Sequence, residues 1–197
     1  MSSLRDRVEA MFAAGHVGQP PELWVDPRLN GDEQLRPAAV LIAITNRATP
    51  GMLLLHRPSH MRAHPGQIAF PGGRLDEGET PVEAALREAW EELGLNPALV
   101  DVIGTSDIYH TGSGYEITPV LGIIPADLAL VPNPSEVASW FEAPVTHLLN
   151  PANHEHKSLE HDGATHDFIE INWHEHAIWG VTAAILANLS KRMNWHG

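Results

Sequence analysis

Four charged side chains, Arg87, Glu88, Glu91 and Glu92, crowd together near the end of PGGRLDEGETPVEAALREAWEELGL, residues 71–95. On a helix, like charges three or four residues apart repel by about 0.2–0.5 kcal/mol per pair, so three carboxylates this close call for a compensating cation. Carboxylate and carbonyl oxygens are hard donors, and Mg2+ is typically held by a few carboxylates together with the phosphates of a substrate. Gly72 and Gly73 let the backbone approach the acids closely enough to add a carbonyl donor. Arg87 lies four residues after Glu83 and four before Glu91, where it can orient the acids through charge-assisted hydrogen bonds. A solvated acidic face is the commoner meaning of a glutamate-rich helix, so spacing has to separate the two.

The elements that must hold these residues are legible in outline. Thr80 as N-cap, Pro81 at the first helical position, Glu83 closing a capping box and Gly94 at the end bound a helix over residues 80–93. Helical spacing puts Val82, Leu86, Ala89 and Leu93 on one buried face, leaving Glu88, Glu91 and Glu92 on an arc at the far side. Ser3 and Asp6 begin an amphipathic helix over residues 3–14. The apolar runs at 38–45 and 51–57 form a hairpin, and further strands are expected at 100–108, 116–124, 137–142 and 166–173. A short helix is expected at 145–149, an Asp-Gly turn within 161–165, and a closing helix over 182–193. Strands dominate, so the class is α+β, a mixed sheet sandwiched between helices, in a single domain spanning 1–197 with its core at about 37–190.

Gly73, Glu79 and the run Arg87 to Leu95 fit the pattern GX5EX7REUXEEXGU, where U is aliphatic, at every fixed position, with Ala89 a small choice for the first U. The chain therefore resembles the Nudix hydrolases over this segment, and the resemblance implies the Nudix fold and hydrolysis of a nucleoside diphosphate linked to another group. It further implies that Glu88, Glu91 and Glu92 bind Mg2+ or Mn2+ with the Gly72 carbonyl, and that Glu79 and Arg87 brace loop and helix. The proton acceptor is left open among Glu88, Glu116 and Glu136.

Immediately upstream, LLLHRPSHMRAHPGQIAFPGG (residues 53–73) is similar to the signature of the coenzyme A pyrophosphatase branch, in outline LLTXRX4RX3GX3FPGG. Arg57, Arg62, Gly66, Phe70, Pro71, Gly72 and Gly73 match; Leu55 replaces Thr and Pro58 replaces a small residue. Residues 133–154 and 178–186 resemble that branch as well. The resemblance implies cleavage of coenzyme A or acyl-coenzyme A to 3′,5′-ADP and 4′-phosphopantetheine, with Arg57, Arg62, Gly66 and Phe70 at the substrate. Arginine suits this, because a guanidinium fork matches phosphate oxygens. Two rival functions stand beside it: a Nudix hydrolase for another diphosphate such as ADP-ribose, and a noncatalytic nucleotide-ligand sensor.

Charge and composition bound the rest. A net charge of −13 argues against nonspecific nucleic-acid binding. The apolar runs are too short for a membrane span and no signal-peptide pattern appears, so a cytoplasmic protein with a small-molecule substrate is expected, a homodimer being left open. The absence of cysteine removes thiolate ligands and nucleophiles. Six of the 13 histidines fall within 154–176, including two HEH triplets; these lack metalloprotease spacing and read as polar strand surface. Trp173 and Trp179 read as packing groups.

Overall fold

A computed structural model describes residues 3–19, 21–29, 35–59, 66–161 and 164–195. Arg62 and the Asp-Gly turn at 162–163 lie outside the described residues.

Helix α1 (Leu4–Gly15) starts at Ser3, whose side chain accepts from the Asp6 N–H while Asp6 accepts from the Ser3 N–H. Strands β1 (Arg36–Asn46) and β2 (Gly51–His56) form the expected hairpin. After them come β3 (Ile68–Ala69), β4 (Gly72–Arg74) and helix α2 (Pro81–Leu93). Next are β5 (Asp101–Thr105), β6 (Tyr109–Thr111), β7 (Tyr115–Pro125), β8 (Ser139–Pro144) and the short helix α3 (Val145–Leu148). Strands β9 (Glu155–His161), β10 (Ala164–Trp173) and β11 (His176–Trp179) precede the closing helix α4 (Val181–Arg192).

Strands β1 and β7 run parallel, in register from Arg36 opposite Tyr115 to Asn46 opposite Pro125. A parallel pair needs a long crossover, and α2 lies within it. Around this pair the sheet is ordered β3-β2-β1-β7-β5, with β4 also on β1, β6 on β7 and β8 on β2; β11-β10-β9 form a separate three-stranded sheet. The period-two alternation of a strand sorts the core into two layers. Ala39, Leu41, Ala43, Leu53 and Leu55 face Ala84, Ala85, Ala89 and Leu93 of α2. Ile42, Ile44, Met52 and Leu54 face the opposite way, into a layer shared with α1, α4 and the small sheet. The mixed sheet is thus covered by helices on both faces. No helix among the described residues is long and apolar enough to cross a membrane.

Three expectations need correction. The strand expected at 100–108 stops at Thr105, because the chain turns out at 106–108, where Asp107 leaves to pair with Arg192, and a further strand, β6, begins only at Tyr109. β9 and β11 carry too little apolar alternation to announce themselves, yet both pair with β10. On α2 the buried positions are Ala84, Ala85, Ala89, Glu92 and Leu93, with Val82 and Leu86 only half-buried. Glu92 therefore belongs to the sheet-facing side and not to an outer arc: three alanines let the helix approach so closely that the whole stripe turns inward.

Arg192 ties the two ends of the chain together. Its guanidinium donates to both Asp107 carboxylate oxygens, at 2.7 and 2.6 Å, and to the Gly15 carbonyl at 3.0 Å. Its side chain is only 6% exposed, and that fork holds the Asp107 carboxyl below the usual carboxylate range. Arg192→Met should cost about 3 kcal/mol at pH 7, by stranding Asp107. A depressed carboxylate contributes stability that is present above its unfolded pKa and lost as pH falls through the folded one. In urea titrations the gap between wild type and variant should accordingly narrow below about pH 4.

Candidate functional site

The site begins with α2 and the strand that it crosses. At the N-terminus Thr80 and Glu83 exchange hydrogen bonds, Glu83 accepting from the Thr80 N–H at 2.8 Å. At the other end Gly94 takes the left-handed conformation (φ 65°), and its N–H donates to the Trp90 carbonyl. The last carbonyls of a helix need outside donors. Here the N–H of Val131 serves Leu93 and that of Asn133 serves Glu92, both at 2.8 Å. Holding 131–133 against the helix end brings Glu136 alongside the acids.

Arg87 is the hub of the acidic cluster. Nε and Nη2 grip the two Glu79 oxygens at 2.9 and 3.0 Å, and Nη1 donates to Glu88 at 3.0 Å and Glu91 at 3.1 Å. Nη2 also donates to the Arg74 carbonyl, and Glu79 in turn accepts from the Asp76 N–H. These bonds join the segment at 74–79 to the helix. The hydrogen bond to Arg87 is the main reason that the Glu79 carboxyl lies below its ordinary range.

Glu92 sits on the other side of the cluster, 3% exposed. Among the described residues its carboxylate accepts one hydrogen bond, from the Gly72 N–H at 3.0 Å. Burial pushes its pKa up to about 8; the Gly72 N–H and Arg57 oppose the shift, and Glu88 and Glu136 add to it. Glu88 is 16% exposed and is likewise raised, burial again outweighing the hydrogen bond from Arg87. Glu91 is about half exposed and turned toward Arg87. Glu116, by contrast, is exposed on β7 and pairs with His110 at 3.1 Å, away from the cluster.

Two glycines make the approach of helix to strand possible. A Cβ on Gly72 would stand 2.4 Å from the Ala39 carbonyl oxygen and 2.7 Å from the Val40 Cα, both backbone atoms of β1. A Cβ on Gly73 would meet the Glu88 carboxylate at 2.2 Å. Every other residue at 73 would displace the acid.

Arg57, just past β2, lies on the far side of Gly72. Its N–H is anchored to the Gln67 carbonyl, but its Nε is buried and has no hydrogen-bond partner among the described residues. It lines a cavity of about 130 Å3 together with Phe70, Gly72, Thr111 and Tyr115. Of the sequence candidates, Arg57 and Phe70 thus meet at one cavity, whereas Gly66 stands exposed at a left-handed turn (φ 69°) and does not line it. Thr111 and Tyr115 come from β6 and β7 and carry no motif that could have flagged them.

Among the described residues no three acids or histidines are already drawn into a ready cage for a metal, since Arg87 holds Glu91 and one Glu88 oxygen. The donor set nevertheless fits a hard divalent cation. Two carboxylates, Glu88 and Glu92, are withdrawn from water beside Glu136 and are under-compensated by one N–H and one arginine. Glu92, Glu88 and, on leaving Arg87, Glu91 are the residues that can hold such an ion.

The NUDIX domain family matches residues 35–179. An uncharacterized Nudix hydrolase NudL of Enterobacter sp. (strain 638) is 41% identical over 160 residues, covering 80% of this chain and 83% of the relative. NudL of Escherichia fergusonii is 43% identical with the same coverage. A crystal structure of a Nudix hydrolase from M. smegmatis, RenU, aligns with a TM-score of 0.50 at 28% identity, over 57% of this chain and 72% of that one.

The two glycines separate fold from site. Gly72→Ala should lower unfolding free energy by about 1–3 kcal/mol, because backbone of β1 must move. Gly73→Ala should stay within about 1 kcal/mol of wild type, since only the end of the Glu88 side chain has to yield. Urea unfolding of both variants checks the contrast.

Proposed function

The chain belongs to the Nudix domain family and is a Nudix hydrolase, and from that premise we propose that it cleaves the diphosphate of coenzyme A and its derivatives to 3′,5′-ADP and 4′-phosphopantetheine. The observation that carries the proposal is a pair of opposite deficits flanking Gly72. On one side stand buried carboxylates short of positive charge, and on the other is an arginine with a buried donor unused among the described residues. A divalent cation and a bridging phosphate satisfy both at once, which neither ligand does alone. The coenzyme A assignment is supported by the residues 53–73 that match that branch's signature, Arg57 among them.

In this mechanism Glu88, Glu91 and Glu92, with the Gly72 carbonyl, would hold Mg2+ or Mn2+, which would supply neutralisation of the diphosphate and acidification of the attacking water. Arg57 donates its fork to phosphate oxygens, and Arg62 is assigned the additional phosphate that distinguishes coenzyme A from its dephospho form. Arg87 stays with Glu79 and so keeps the loop on the helix while its hold on Glu91 is exchanged. Glu88 or Glu136 accepts the proton of the water; Glu136 has the advantage over Glu116 of standing beside the cluster. The water oxygen bonds to one phosphorus, the bridging P–O bond breaks, and the leaving phosphate keeps the electron pair. Residues 1–197 act as one domain in this account, because α1 and α4, outside the matched segment, share a core layer with the sheet. A cytoplasmic setting, with no nucleic-acid or membrane partner, fits the acidic chain.

Product analysis by mass spectrometry tests the assignment. With Mg2+ or Mn2+, coenzyme A should give 3′,5′-ADP and 4′-phosphopantetheine faster than dephospho-coenzyme A or ADP-ribose is cut, and a chelator should stop the reaction. Faster cleavage of ADP-ribose would replace the substrate; binding without turnover of any of the three would favour a sensor. Arg57→Ala should lower kcat/KM for coenzyme A about ten- to a hundredfold, the worth of a hydrogen bond to a charged group.

A further inference from the structure

The segment ahead of β1 lies outside residues 35–179, the part of the chain that matches the family model, yet it reaches a wall of the cavity at Gly72. Residues 21–29 bridge α4 and the turn that joins β6 to β7. One side chain of α4 fixes both backbone groups of Trp24: its N–H donates to Asn188 Oδ1 at 2.6 Å, and Asn188 Nδ2 donates back to the Trp24 carbonyl at 3.0 Å. Asn188 is 7% exposed. Two residues after Trp24, Asp26 is 4% exposed, and its carboxylate accepts four hydrogen bonds among the described residues. Three come from the Arg28 N–H and guanidinium, at 3.0, 2.9 and 2.7 Å. The fourth comes from the Gly112 N–H, 86 residues further along the chain, at 2.8 Å.

The sheet ladder alone fixes that turn weakly. Strand β6 has only three residues, and Gly112 and Gly114 flank Ser113; glycine loses more conformational freedom on ordering than any other residue. Gly114 is left-handed (φ 82°), and its N–H closes the turn on the Thr111 carbonyl at 3.0 Å. On the solvent side the exposed Arg36 donates to the Ser113 carbonyl at 3.1 Å, and its guanidinium lies 4.1 Å from the centre of the Tyr115 ring. The buried anchor is Asp26. Burying a carboxylate is costly unless its charge is paired and hydrogen-bonded, and here the pairing with Arg28 leaves it one oxygen directed at Gly112.

Thr111, Ser113 and Tyr115 line the cavity that Arg57 shares. Thr111 Oγ1 accepts from the Tyr115 N–H and pairs with Ser113 Oγ, both at 3.0 Å. When Thr111 donates in that pair, the Ser113 proton is left for a ligand. A hydroxyl donor and the Arg57 guanidinium then border one space.

We propose that Asp26 is a positioning residue for the substrate: by holding Gly112 it presets the turn at 111–115 as a wall on which the Ser113 hydroxyl donates to a phosphate oxygen. This rests on the reading of the Gly72 cavity as the diphosphate site. The ordering of a glycine-rich turn is completed on folding and is not left to the binding step, which favours affinity. Such a contact is made with substrate and transition state alike, so its loss appears in KM and not in kcat.

Kinetics of the full-length protein with Mg2+ test this, on whichever of coenzyme A, dephospho-coenzyme A and ADP-ribose is cut fastest. Asp26→Ala should raise KM about tenfold and leave kcat within about twofold. Asp26→Asn keeps an acceptor for Gly112 without the charge, and should bring the rise back to about threefold. Gly112→Ala disturbs the same contact from the other side, its Cβ standing 2.4 Å from the Arg28 Cβ, and should also raise KM. Ser113→Ala, at an exposed position, should raise KM about five- to tenfold with an unchanged urea midpoint. A purely structural role would lower the urea midpoint and leave the KM of the folded protein unchanged. That result for Asp26→Asn and Gly112→Ala, or an unchanged KM in Ser113→Ala, overturns the proposal.

Calorimetric titration with inorganic pyrophosphate and Mg2+ separates the wall from the choice of substrate. Saturable binding, weakened in Asp26→Asn and Ser113→Ala, supports the wall even if none of the three compounds is cut and the substrate reading fails. Equal binding by all three proteins, or none by wild type, overturns it.

Discussion

The hydrogen bond from the Gly72 N–H to the buried Glu92 carboxylate is the interaction on which the rest of the structure turns. It can form only because Gly72 has no Cβ to strike β1 and because α2 meets the sheet with alanines at 84, 85 and 89. Both conditions bring a carboxylate into a place where its charged form is unfavourable, burial pushing its pKa up to about 8. Transfer of an isolated carboxylate from water to an apolar interior is so costly that such groups are paired, metal-bound or neutral. The closeness of helix and strand therefore creates a local deficit of positive charge, and that deficit defines what the site binds.

Stability and chemistry are divided between the two faces of the helix. Arg87 takes the outer acids and Glu79, fixing loop to helix through a multidentate fork, and asks nothing of a ligand. Glu92 and Glu88 face inward beside Glu136 with too few donors. The parallel pairing of β1 with β7 then sets β6 and the start of β7 beside Gly72, so that Arg57, Thr111 and Tyr115 close the opposite wall. The small sheet adds an outer compartment that shares Trp179 and Val181 with the inner one.

Local signals in the sequence were enough for the helix that carries the chemistry. Thr80, Pro81, Glu83 and Gly94 marked its bounds. The orientation of that helix was not legible in the same way. Apolar periodicity favoured Val82 and Leu86 as buried, and a charged residue at 92 argued for exposure, but contact with glycines distant in sequence reversed the preference. β9 and β11 were missed for a related reason: rich in histidine and short, they gain strand character only by pairing with β10. Asp107 fell within the strand expected at 100–108, since nothing local announced that Arg192, 85 residues away, would draw the chain out between β5 and β6.

The most direct test of this account is Mn2+ binding to the substrate-free protein, followed by electron paramagnetic resonance, in wild type and Glu92→Gln. Saturable binding displaced by Mg2+ and weakened at least about tenfold by the substitution is predicted, since one charged ligand is lost at constant size. Equal binding by the two proteins, or none by wild type, would contradict the claim that the buried carboxylates at Gly72 are a divalent-cation site.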